Sequence, residues 1–101
     1  DKYSFGHIKT SIAMFYAEAG DFKKAFRFIS EANKLAEKVN KIGIIGTVLL
    51  AYGVIYFYKG DYHKSKEYLE KGLSLARYAG PGLRIMVQSF KRWIKKANAE
   101  M

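Results

Sequence analysis

Between Lys41 and Lys59 the chain runs through seventeen residues, IGIIGTVLLAYGVIYFY, without a single charged side chain. A segment this apolar belongs either in a bilayer or in the interior of a protein. As a helix it rises about 25 Å, short of a hydrocarbon core of roughly 30 Å. Tyr52, Tyr56 and Tyr58, with Gly43, Gly46 and Gly53, also soften a profile that a span would fill with Leu and Ile. Apolar runs below about 18 residues are more often buried core. The expectation is a central helix covered on several sides by the rest of the chain, with no membrane involved.

The flanking sequence can supply that cover. In residues 4–19, Phe5, Ile8, Ile12, Tyr16 and Ala19 recur at helical spacing while Lys9, Thr10, Ser11 and Glu18 fall elsewhere on the wheel. Gly20 can take the left-handed conformation that ends a helix, and Asp21 can accept backbone N–H bonds at the start of the next. Residues 22–40 then repeat the spacing with Phe22, Ala25, Phe26, Ile29, Ala32, Ala36 and Val39. Asn40, Lys41 and Gly43 offer the break before the apolar helix, which should end at Gly60-Asp61. A fourth helix over 62–79 places Tyr62, Ser65, Leu69, Gly72, Leu73 and Ala76 on one face. Pro81 has no N–H to lose at a helix start, so a fifth helix is expected over 81–98. Its stripe is Leu83, Met86, Val87, Phe90, Trp93, Ile94 and Ala97, with Arg84, Lys91, Arg92, Lys95 and Lys96 on the wet side.

Residues 1–101, half of them apolar and 27% charged, suit one globular domain with no linker to divide it. Absence of cysteine rules out disulfides, thiol redox chemistry and a Cys-based zinc site, and favours the cytoplasm. A first residue that is Asp rather than Met, with no charged-then-apolar leader, suggests a piece of a longer protein. Net charge of +9 favours anionic partners without naming one.

Gly20-Asp21-Phe22 lies forty residues before Gly60-Asp61-Tyr62, a period that signals stacked helical units. The second unit reads Leu49-x-x-Tyr52-Gly53-x-x-Tyr56, then Gly60-Asp61-Tyr62, then Ser65-x-x-x-Leu69-x-x-Gly72. The first follows it more loosely with Ile12-Ala13-x-x-Tyr16 and Ala25-x-x-x-Ile29-x-x-Ala32. This pattern resembles the tetratricopeptide repeat, in a variant longer than the usual 34 residues and without the closing proline. The resemblance implies an all-α fold: a right-handed solenoid of antiparallel helix pairs, with repeats over 4–40 and 43–79 and a capping helix over 81–98, five helices in all.

It further implies a non-catalytic module that binds a peptide or helix of a partner protein in a groove made by the first helix of each pair. Transferred to this sequence, the groove positions include Thr10, Met14 and Glu18 from the first unit and Thr47, Leu50, Val54, Phe57 and Tyr58 from the second. Arg84, Lys91 and Lys95 would border the groove and favour an acidic segment. The Lys and Asn that chaperone-binding members use to clamp a carboxylate are replaced by Thr10, Met14 and Ala51. No set of nucleophile, base and orienting group can be assembled, so no enzyme is expected; His7 and His63 lack ligand-spaced partners, so neither cofactor nor metal is expected. Self-association as part of a longer solenoid is a second reading. Nucleic-acid binding through the basic fifth helix is a third and weaker one, since Trp93 falls on the apolar stripe.

Overall fold

The computed structural model describes residues 2–101, with side chains from residue 4 onward. Five α-helices follow one another: α1 (Lys2–Glu18), α2 (Phe22–Val39), α3 (Ile42–Lys59), α4 (Tyr62–Ala79) and α5 (Arg84–Glu100). They form an all-α helical repeat, with no strand among the described residues.

Two links of identical construction set the helix pairs. Gly20 and Gly60 adopt φ of 87° and 90°, a region that costs a side chain with a Cβ but not glycine. In the first link the Gly20 N–H donates to the Ala17 carbonyl at 3.0 Å and the Asp21 N–H to the Tyr16 carbonyl at 2.9 Å. The second repeats this from Gly60 to Phe57 and from Asp61 to Tyr56, each at 3.0 Å. These are the paired bonds of a Schellman motif, which use carbonyls a helix end would otherwise leave unmatched. Asp21 and Asp61 then cap the following helices, each carboxylate accepting from the N–H three residues on, Lys24 or Lys64, at 3.1 Å. One turn chemistry, written twice, closes α1 on α2 and α3 on α4.

The other two links differ. Asn40 takes a left-handed conformation, φ 51°, and its N–H donates to the Ala36 carbonyl at 2.8 Å. Lys41 is extended, and α3 begins at Ile42, so Gly43 lies inside the helix and not in the break. After α4 the expected fifth helix does not start in α-geometry at Pro81. Pro81–Leu83 form a single 3₁₀ turn, and Leu83, at φ −111° and ψ 28°, leaves helical dihedrals before α5 begins.

α3 meets the length and composition of a bilayer span, yet in this fold it packs against all four other helices. Ile44, Val48, Ala51, Val54 and Ile55 are 2% exposed or less, on positions that go round the helix and leave no single apolar face. Ala25, Ile29, Ala32 and Ala36 of α2 close the core on one side, and Leu69, Ala76 and Phe90 of α4 and α5 form a second cluster. Close approach of α4 to α3 and α5 uses a glycine at each seam: a Cβ at Gly53 would collide with the Leu69 side chain, and one at Gly72 with the Phe90 ring. The buried Ser65 hydroxyl donates to the Gly53 carbonyl at 2.6 Å, so α4 is fastened to α3 at that same point. Aromatic rings continue the seam, with Tyr68 stacked on Tyr52 at 4.9 Å and on Tyr56 at 5.6 Å, and Phe26 set against Tyr56 at 5.3 Å across the two pairs.

Removing the cap in Asp61→Ala should cost about 1 kcal/mol, and Gly72→Ala, which drives a methyl into Phe90, roughly 1–3 kcal/mol. Urea unfolding would show the larger loss for Gly72→Ala; equal midpoints for wild type and Gly72→Ala would deny the tight α4–α5 approach.

Candidate interaction face

α1, α3 and α5, the first helices of successive units, share one side of the molecule, and that side holds two depressions. The smaller, about 300 Å³, is lined by Ser11, Met14, Phe15 and Glu18 of α1, Val54 and Tyr58 of α3, and Trp93 of α5. The larger, about 810 Å³, lies toward the helix starts, where His7, Gly43 and Leu50 face Pro81–Met86 and Ser89.

The smaller depression is built on aromatic rings. Trp93 meets Phe57 edge-on at 5.3 Å and Tyr58 at 5.9 Å, and Phe57 meets Tyr62 at 5.5 Å. The Lys96 ammonium sits 4.3 Å from the Trp93 ring centroid, within cation–π range. Val54, 2% exposed, forms the floor, and Tyr58, 38% exposed, forms a wall. Burial pushes the Tyr58 phenol above its ordinary range, and the Glu18 carboxylate across the depression adds to the shift. Tyr52, in the core seam, is raised by burial first and then by Tyr68, Tyr56 and Glu37.

The sequence-derived groove positions separate by role. Met14, Glu18, Val54 and Tyr58 converge on the smaller depression, and Leu50 and Arg84 line the larger one. Thr10 is 1% exposed and its hydroxyl donates to the His7 carbonyl at 2.7 Å, so it is closed to a ligand. Thr47 likewise turns inward, donating to the Gly43 carbonyl at 2.8 Å. Phe57 lines neither depression; its ring joins α3 to Tyr62 and Trp93. Lys91 and Lys95 are exposed on α5 and line neither depression.

Sequence reasoning missed Phe15, Trp93, Ile85 and Met86 as members of this face. The 3₁₀ turn sets α5 two residues out of step with the forty-residue period. Trp93 stays on the predicted stripe and packs against the second core cluster, and the same ring also lines the smaller depression. Phe15, 66% exposed, lay outside the stripe predicted for α1, and that stripe itself is corrected: Phe5 and Ile8 are 58% and 54% exposed, and α1 buries Gly6, Thr10, Ala13 and Ala17 instead, the small residues that let α2 and α3 come close.

The tetratricopeptide-repeat family model matches residues 47–78, which take in most of α3 and all but the end of α4. The chain therefore contains a tetratricopeptide repeat, and α1–α2 reproduces its turn and cap geometry at a period of forty. Neither a curated protein nor a solved structure matches the chain. Repeats of this family generally mediate protein–protein interactions and are typically non-catalytic.

Tyr52 and Tyr58 hold their protons more tightly in the folded chain than in the unfolded one. Stability is therefore complete below their ordinary value of 10.0 and falls as pH rises through the folded values. Urea midpoints taken from about pH 9 to about pH 11 should decline, and less steeply in Tyr52→Phe; a flat or rising profile would contradict the burial of these phenols.

Proposed function

We propose that this chain is a protein-interaction module whose α1, α3 and α5 face receives a segment of a partner protein. The observation that carries this reading is the apolar surface left open at both depressions. Phe15, Tyr58 and Ile85 are 66%, 38% and 80% exposed beside them, although the core is already closed beneath by Val54 and Ala51. Apolar and aromatic groups gathered in concave sites are the usual anchors of peptide binding. Their flanking charges differ: Arg84 borders the larger depression and Glu18 the smaller. A segment with a carboxylate near one apolar anchor and a neutral or basic residue near the other would be held in one direction, and the net charge of +9 favours an acidic segment overall. A carboxylate clamp is disfavoured, because Thr10 and Ala51 are buried where it would stand.

Nucleic-acid binding is the weaker alternative. Trp93, the residue that would stack a base, is already faced by Phe57, Tyr58 and Lys96.

Selection from a random-peptide display library tests the reading. Recovered peptides should carry an aromatic or long aliphatic anchor beside an acidic residue, and Tyr58→Ala together with Met14→Ala should weaken them by about tenfold or more without moving the thermal midpoint greatly. Peptides that bind the double variant as well as wild type would overturn it, as would tight, salt-sensitive RNA binding with no peptide selected.

A further inference from the structure

Each first helix carries the same four-position stripe. In α3 it is Ile45, Val48, Tyr52 and Ile55; forty residues earlier, in α1, the positions hold Phe5, Ile8, Ile12 and Phe15. Allowing for the two-residue shift of α5, the third copy, forty-two residues after α3, is Val87, Phe90, Ile94 and Ala97. The α3 stripe is sealed by the preceding pair: Val48 and Ile55 are 2% and 0% exposed in the cluster built on Ala25, Ile29, Ala32 and Ala36, and Ile45 and Tyr52 pack against it. The α5 stripe is sealed in the same way by α4, with Phe90 and Ala97 at 0% and Phe90 in one cluster with Leu69 and Ala76. The α1 stripe has no such cover, and Phe5, Ile8 and Phe15 are 58%, 54% and 66% exposed.

The far end of the molecule is the opposite. α3 turns Leu49, Gly53 and Tyr56 toward its own second helix, and the equivalent residues of α5 are Lys91, Lys95 and Asn98, all exposed. The stack is therefore finished with polar residues at α5 and left apolar at α1, whereas a terminal unit needs a polar outer face.

The α2–α3 connection shows what kind of element fits over such a stripe. α2 reaches the stripe of α3 through only Asn40 and Lys41, so a helix entering α1 by a comparable link falls on Phe5, Ile8, Ile12 and Phe15. A second copy has only its own α1 stripe to offer, and Phe5, Ile8 and Phe15 there are larger than the Ala25, Ala32 and Ala36 with which α2 closes on α3, while the small-residue faces of α2 and α4 are already spent on α3 and α5. We propose that the α1 stripe is the seat of a further helix pair of the same repeat type, preceding α1 in the same polypeptide, whose second helix presents small and aliphatic residues as α2 does. This seat overlaps the peptide-binding face only at Phe15, which also lines the smaller depression; Phe5 and Ile8 line neither, so substitutions there test the seat separately.

The test places a second copy of residues 1–40 directly ahead of residue 1. The added second helix then enters α1 through Asn40 and Asp1, a link as long as Asn40 and Lys41. Tm should rise by roughly 10 °C, and α1 amides should gain protection from hydrogen exchange. Phe5→Gln with Ile8→Gln at the inner stripe should abolish that gain, while in the 101-residue chain the same pair should shift Tm by no more than about 2 °C. An extension that adds no stability would overturn the proposal, as would a Gln pair that costs the same in both chains. Light scattering showing a dimer of the 101-residue chain that the Gln pair dissolves would instead make a second copy the occupant.

Discussion

The fold depends on removing α3 from water. A helix that buries residues all the way round cannot be satisfied by one partner, and each of its sides must be met by a different element. α1 and α2 meet it from one direction and α4 and α5 from the other, so the order of the stack follows from the composition of its middle helix. The flanking helices need only one apolar face each. The two Gly-Asp turns make those faces point inward by returning the chain antiparallel within two or three residues.

The architecture was legible because it was written in local chemistry. Gly20-Asp21 and Gly60-Asp61 specify a helix end and a helix start without reference to the rest of the chain, and four of the five helices appear within a residue or two of the expected bounds. The fifth departs because a Gly-Pro-Gly run is compatible with either an immediate helix or a preliminary 3₁₀ turn. In the structure the 3₁₀ turn is adopted, with Leu83 and Met86 packed against the second core cluster. Two residues of slippage then carry through α5 and decide which of its side chains face α3.

The interaction face was legible only in part, for a physical reason. On a helix with apolar residues on every side, spacing cannot separate a position that meets a neighbour from one that meets a ligand. Val54 and Tyr58 share a stripe, yet one is a floor and the other a wall. Thr10 and Thr47 look polar and available in sequence, but each hydroxyl turns back to a carbonyl of its own helix, a common fate of threonine in helices. Trp93 escaped for the opposite reason: it does pack against the second core cluster, as its stripe implied, while the same ring also lines the smaller depression.

That position of Trp93 has a practical consequence. The chain has a single tryptophan, and it stands in the smaller depression with an ammonium over one part of its ring and two aromatic edges beside it. Its emission is therefore set by local polarity and by quenching from a few identified groups. Whatever enters the depression must displace water from that indole, so the unlabelled protein carries an optical reporter of occupancy built into the face itself.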